Sequence, residues 1–318
     1  MISLLVCSAK KNSNKILFLL TALTSCLLFS VSHANTTPLA SAPFKKIVFS
    51  FQKQKNPMEL QSTSDRVARE LTKTLSTPVE VVVPSSYGTT AQGLISGSVH
   101  VAYMDSLPFV LANRETDLEI IAVERRQGKT DYDSLVLVAK DSSIQTLADL
   151  KGKRIAFSSQ TSTSGFLFPF FRMLKDKNIA SPKDLTQYFS QIVYAGGYDK
   201  ALTALANGQV DAAAMSDYAF EGAKADLYGA AEQRAKLRVL TRTPGVPTHL
   251  IAVSKKLDPQ VRAQIQLALL NLVKSQPELI ASVYGAAELV KPGTKKSHVQ
   301  ATLDALKSTG LSPTDFVK

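Results

Sequence analysis

Beyond residue 45 the chain alternates short apolar runs with longer stretches in which apolar positions recur every three or four residues. Lys46–Phe51 (KIVFSF) is too short for a helix and predicts a strand. Residues 62–75 (STSDRVARELTKTL) set Val67, Leu71 and Leu75 on one face. That spacing predicts an amphipathic helix, with Ser62 or Thr63 as its N-cap. After Pro78 the β-branched run VEVVV predicts a buried strand. Ser85-Ser86-Tyr87-Gly88 ends that strand, a helix follows, and Val99–Met104 is the next strand. Strand and helix in alternation predict a parallel α/β sheet.

The second half repeats the rhythm. Strands are expected at 135–139, 153–157, 191–194, 210–215, 237–240 and 250–253. Helices are expected at 144–150, 164–175, 199–206 and 219–223, then from Pro259 onward, with a last one near 297–306. The Pro-rich stretch Thr243-Pro244-Gly245-Val246-Pro247 reads as a crossover between two of these strands.

The N-terminus changes the picture of where the protein works. Lys10, Lys11 and Lys15 precede the mostly apolar run Ile16–Val31, which closes on Ser32-His33-Ala34. This is the anatomy of a secretory signal peptide, with cleavage expected after Ala34 and a periplasmic destination. Leu23-Thr24-Ser25-Cys26 resembles a lipobox, so anchoring through Cys26 is the alternative. Cys7 and Cys26, the chain's two cysteines, both lie in this segment. The exported chain therefore has no disulfide, thiolate nucleophile or cysteine metal site.

Loss of Lys10, Lys11 and Lys15 lowers the formal charge from +11 to +8. A modest positive excess suits a small anion, and no basic run is dense enough to suggest nucleic acid. His100, His249 and His298 are far apart in sequence and suggest no metal site. Arg125 and Arg126 read either as solvated surface or as charge at a cleft rim.

The segment Thr161-Ser162-Thr163-Ser164-Gly165-Phe166 is the strongest candidate for chemistry. It joins a strand to an apolar helix, and a helix N-terminus leaves N–H groups unpaired and partly positive. An oxyanion there can take those N–H groups, with serine and threonine hydroxyls as further donors. Gly165 permits close approach to the backbone. On these residues alone, Ser162 or Thr163 acting simply as an N-cap is an equal reading. Tyr103 and Asp105 fall at the C-terminal end of a strand, the edge at which open α/β sheets bind ligands. Asp105 could hold a cationic substituent or cap the next helix.

Taken in order, four stretches resemble the phosphonate, phosphite and phosphate binding proteins of ABC importers. They are Val99–Met104 with Leu107-Pro108-Phe109-Val110, Tyr132–Val138 with Leu147–Phe157, Ser162-Thr163-Ser164-Gly165 with Pro169, and Asp199–Leu202 through Asn207–Ala212. The resemblance implies an α/β, two-lobed periplasmic-binding-protein fold of type II, with two crossover strands as a hinge. Lobe 1 is then expected to be discontinuous, 35–134 plus 249–318, and lobe 2 to span 135–248, with crossovers near Ser134–Ala139 and Thr241–Thr248. It implies an anion-binding turn at Ser162, Thr163, Ser164 and Gly165, a ligand-facing Tyr87, and Asp217 as an acidic ligand residue or a helix cap. The expected partners are a small anion, a membrane permease and a separate ATPase chain, with the binding protein itself a monomer.

Two positions depart from the family pattern. Tyr198 stands where many relatives have a histidine that donates to the phosphonate, and it donates without charge. Thr248-His249 follows Pro247 where relatives carry an acid able to hold a ligand amine. The chain has no P-loop, no dinucleotide fingerprint and no G-x-S-x-G elbow. No cofactor and no catalysis are expected. A sensor subunit reporting to a membrane kinase shares all these features, and a sulfonate is a further anion the turn could take.

Overall fold

The computed structural model describes residues 45–51, 57–84, 86–284, 288–294 and 297–316. The segment read as a signal peptide, including Cys7, Cys26 and Ala34, and the side chain of Tyr87 lie outside the described part. Eleven strands are described: β1 Ile47–Phe51, β2 Val79–Val82, β3 Val101–Met104, β4 Leu118–Arg125, β5 Asp131–Ala139, β6 Arg154–Phe157, β7 Gln191–Tyr194, β8 Ala212–Ser216, β9 Leu237–Pro247, β10 Leu250–Ser254 and β11 Glu288–Val290. The α-helices are α1 Pro57–Leu75, α2 Tyr87–Ser96, α3 Ser106–Glu115, α4 Phe168–Lys175, α5 Leu185–Tyr188, α6 Tyr198–Ala206, α7 Asp217–Phe220, α8 Ala231–Arg234, α9 Pro259–Ser275, α10 Pro277–Tyr284 and α11 Gln300–Thr309.

The strands form two sheets, ordered β11-β4-β10-β3-β1-β2 and β7-β6-β8-β5-β9. In the first, β1 runs parallel to β2 and β3, while β10 lies antiparallel between β3 and β4. In the second, β6 is parallel to β7 and β8, and β5 is antiparallel to β8 and β9. Strands β1, β3 and β10 are buried along their whole length, as strands covered by helices on both faces must be. This explains their continuous apolar runs. Val67, Leu71 and Leu75 of α1 cover Ile47, Phe49 and Phe51, and Ile265, Leu269 and Leu272 of α9 join the same core. Each such side chain stabilises the lobe by about 1.5–3 kcal/mol.

The chain passes between the sheets twice, from β4 into β5 and from β9 into β10. The segments expected as crossovers are thus largely occupied by β5 and β9, paired with each other from Asp131↔Pro247 to Ala139↔Leu237. Strand β9 continues through Pro244 and Gly245 with register shifts opposite β5 at Tyr132/Ser134 and Val136/Leu137. Pro is tolerated there because β9 is the edge strand. The C-terminal helix α11 takes part in both halves: Thr302 Oγ1 and Ser106 Oγ of α3 lie 2.7 Å apart, and Leu306 packs in one core with Phe166, Phe168 and Phe170.

Topology brings several loops to one place. Strands β3 and β4 end, and β10 begins, at the same edge of the first sheet; β6, β7 and β8 end, and β5 begins, at the facing edge of the second.

Candidate functional site

Beyond β6 the chain makes a tight hydroxyl-rich turn. Residues Thr163–Leu167 form one π-helical turn that leads directly into α4. Ser162 caps it, its Oγ accepting the Gly165 N–H at 3.0 Å. Gly165 is required by space: an added Cβ would meet the Ser158 side chain at 2.5 Å and Ser162 Oγ at 2.9 Å. Ser158 cannot withdraw freely, because its Oγ donates to Ala214 O at 2.7 Å.

The three hydroxyl residues have different surroundings, and all are fully buried. Thr163 Oγ1 accepts the Leu107 N–H at 3.0 Å, from the first turn of α3 in the other half of the molecule. Ser164 Oγ lies 2.8 Å from Tyr198 OH and accepts from Tyr132 OH at 3.4 Å. The Ser164 carbonyl accepts from Ser134 Oγ at 2.6 Å. Two helix N-termini, α3 from one side and the Ser162 turn from the other, therefore face each other. Each contributes partial positive charge to the space between them.

The facing wall of the first half is an ionic network that the sequence did not reveal. Asp105 does not cap α3 through its side chain. Its Oδ1 lies 2.6 Å from His249 Nε2, and its Oδ2 lies 3.5 Å from the Thr163 N–H. His249 Nδ1 lies 3.2 Å from Glu124 Oε2. Arg126 grips Glu124 with two donors, Nε at 2.9 Å and Nη2 at 2.8 Å. Tyr103 OH donates to Glu124 Oε1 at 3.0 Å, and its ring stacks on His249 at 4.9 Å. The Arg126 guanidinium stands 4.0 Å over the Tyr218 ring of the second half, within cation–π range.

Burial opposes charge on His249, but Asp105 and Glu124 outweigh it and hold its pKa up at about 9. Burial also opposes ionisation of Glu124, yet Arg126 and His249 keep its carboxyl below the usual range. Burial and the nearby Asp105 charge push Tyr198 up to about 12, so it stays a neutral hydroxyl. Formally the four charges of Asp105, Glu124, His249 and Arg126 cancel.

Asp217, after β8, sits apart from the turn. It accepts from the Asp133 and Tyr218 N–H groups at 3.1 and 2.6 Å. Burial and the neighbouring Asp133 charge raise its carboxyl above the ordinary value. It lines a cavity of about 480 Å³ together with Arg126, Tyr132, Tyr218 and Tyr228. Tyr132 belongs both to this cavity and to the turn, through Ser164. Thus Ser162, Thr163, Ser164, Gly165, Tyr198 and Asp105 come together, while Tyr103 turns to Glu124 and Asp217 to the cavity. Among the described residues no group of three or more His, Cys, Asp and Glu side chains could hold a metal ion. No described helix is long and apolar enough to cross a membrane.

Sequence reading missed Glu124 and Tyr132 as parts of the site and left Arg126 open between the surface and the cleft rim. The available signal was Glu124 and Arg126 at the end of the apolar run Leu118–Val123, a strand end like those already singled out. Of the two arginines left open, Arg125 pairs at the surface with Glu288, and Arg126 is the one turned inward.

The family described as the periplasmic substrate-binding protein of phosphonate ABC transporters matches residues 49–315. The phosphate-import protein PhnD of Mycolicibacterium smegmatis is 28% identical over 65% of this chain, and the chain spans just under two thirds of that relative, 65%. The phosphonates-binding periplasmic protein of Escherichia coli is 27% identical over 79% of this chain and 73% of its own. PhnD1 of Prochlorococcus marinus, solved in complex with methylphosphonate, superposes with a TM-score of 0.70 at 20% identity, covering 84% of this chain and 98% of that one.

Proposed function

The chain belongs to the family of periplasmic substrate-binding proteins of phosphonate ABC transporters, and from that premise we propose that it captures a small phosphonate, phosphite or phosphate anion between its two sheets. The observation that carries this reading is the meeting of two helix N-termini, α3 and the Ser162 turn, bridged by the Thr163 hydroxyl, with the Ser162 and Ser164 hydroxyls buried in the same turn. Such an arrangement receives an oxyanion by N–H and O–H donation without a full positive charge. The oxyanion rests on Ser162, Thr163, Ser164 and Gly165, with Tyr198 as a neutral donor. Any substituent extends past Tyr132 toward the cavity beside Asp217. Tyr87 and Tyr103 complete the set of residues that we assign to the ligand or its immediate support.

Closure follows from the same contacts. Lobe 1, 35–134 with 249–318, and lobe 2, 135–248, swing about the two connections, and contacts from both lobes favour the closed state. A membrane permease served by a separate ATPase chain receives the loaded, monomeric protein. Export is accompanied by cleavage after Ala34, so that the mature chain starts at Asn35, and the mass of the exported protein reads this directly.

A thermal-shift panel on the exported chain tests the ligand class. Methylphosphonate, aminoethylphosphonate, phosphite or phosphate at about 100 times its dissociation constant adds about 2.7 kcal/mol of stability. The triple variant Ser162→Ala, Thr163→Ala, Ser164→Ala is expected to lose this shift while still folding. A panel in which no oxyanion moves the melting temperature of the wild type removes the reading.

A further inference from the structure

A chain of hydroxyls runs from the C-terminal helix to the turn after β6. Thr302 Oγ1 of α11 lies 2.7 Å from Ser106 Oγ, at the first position of α3. Ser106 Oγ donates to Thr163 Oγ1 at 3.4 Å, and the Leu107 N–H donates to the same oxygen at 3.0 Å. Thr302, Ser106 and Thr163 are all fully buried. The proton directions follow by counting, because a hydroxyl has one proton and two lone pairs. The Ser106 proton goes to Thr163, so the proton between Thr302 and Ser106 comes from Thr302. Thr163 Oγ1 receives two donors, which occupies both of its lone pairs. Its own proton is the one donor that the chain leaves over.

Burying a hydroxyl costs free energy unless it is hydrogen-bonded, so packing alone favours valine at 302 and alanine at 106. We propose that Ser106 is a positioning residue for the ligand: held by Thr302, it fills the acceptor side of Thr163 Oγ1 and so makes the Thr163 hydroxyl an obligate donor to an oxygen of the bound anion. The proposal rests on the ligand-class reading above and deepens it, since it adds two side chains outside the turn to the binding of the same anion. Hydrogen bonds in such a chain polarise one another, so the Thr302 bond strengthens the Ser106 bond that follows it. Thr302 and Ser106 come from one half of the molecule and Thr163 from the other. The chain is therefore complete only when the two halves meet.

Helix α11 is anchored on both sides of Thr302. Before it, His298 Nε2 lies 2.8 Å from the Thr248 carbonyl, where β9 passes into β10. After it, Leu306 packs with Phe166, Phe168 and Phe170, and the Asp315 carbonyl accepts from Gln160 Nε2 at 3.3 Å. These anchors fix the helix against the turn independently of the Thr302 hydroxyl. Removing that hydroxyl alone therefore leaves α11 in place and frees the Ser106 side chain to rotate.

The test is calorimetric titration with methylphosphonate of the exported chain, Ser106→Ala, Thr163→Val and the double variant, which together form a cycle. Ser106→Ala is expected to weaken binding about fivefold, about 1 kcal/mol. The same change is expected to have almost no further effect once residue 163 is valine, because its target oxygen is gone. A merely structural role gives the same loss in both backgrounds, and that result, or an unchanged affinity in Ser106→Ala, overturns the proposal. Position 302 separates the hydroxyl from the packing around it. Thr302→Val is expected to weaken binding about threefold, and Thr302→Ser to keep wild-type affinity. If Ser106→Ala does not fold, this pair decides: wild-type affinity in Thr302→Val, or an equal loss in both variants, overturns the proposal. Each of these outcomes leaves the ligand class intact. Absence of wild-type binding to methylphosphonate, phosphite and phosphate alike removes the ligand class and this proposal together.

Discussion

His249 is the residue on which the ionic wall turns, because it is fully buried between two carboxylates. Its folded pKa of about 9 lies above the unfolded value of 6.5. The resulting stabilisation is complete below about pH 6.5 and is lost as pH rises through 9. It amounts to about 3 kcal/mol at pH 6. Wild-type stability is therefore expected to decline between pH 7 and 9.5. His249→Gln is expected to be less stable at pH 6 and nearly flat across that interval, as read by urea denaturation at each pH. His298 does not imitate this effect, because its lowered pKa acts at more acidic pH. A decline of equal slope in His249→Gln would count against the assignment. At the residue scale little of this was legible. His249 was visible as a departure from the family pattern, but its partners Asp105 and Glu124 lie 144 and 125 positions away.

Elements show where local pattern suffices and where it fails. The hydroxyl turn was legible because the strand, the serine and threonine run and the apolar helix are contiguous. Its π geometry was not, since that geometry depends on Ser158 and Ala214 behind the turn. Gly165→Ala is expected to cost about 1–3 kcal/mol by overpacking against Ser158, and to weaken binding of methylphosphonate by displacing the Ser162 cap. Equilibrium unfolding together with titration separates the two effects. An unchanged unfolding midpoint would remove the steric argument. Strand β4 escaped the sequence reading altogether, although it carries Glu124 to the site. Its apolar residues gain their meaning only between β10 and β11. Strand β9 read as a broken crossover because Pro244 and Pro247 normally end strands. As an edge strand it can hold them with an outward-facing backbone.

For the whole molecule, contacts that join the two halves near the site include Leu107 N–H to Thr163 Oγ1, Thr163 N–H to Asp105 Oδ2 and Arg126 over Tyr218. Removing the Thr163 oxygen leaves the Leu107 donor without its acceptor in the closed arrangement, at a cost of about 1–3 kcal/mol. Thr163→Val is therefore expected to favour the open state. Small-angle X-ray scattering should then show a larger radius of gyration without ligand, and titration a weaker affinity for methylphosphonate. An unchanged radius would argue that this bond does not govern closure.

What the sequence determined by itself is whatever depends on neighbours along the chain. That includes the strand and helix rhythm, the hydroxyl turn at a helix N-terminus, and the ordered motifs of a family to which the chain belongs. The tertiary structure alone decided what faces that turn. Asp105 was legible as a residue at a strand end, with a cationic partner or a helix cap as its two roles. Only the packing of β3, β4 and β10 at one sheet edge brought it together with His249, Glu124 and Arg126 and directed its carboxylate at Thr163. The reason is physical: partners drawn from three strands and a crossover leave no periodic trace in sequence, because their spacing is set by sheet order.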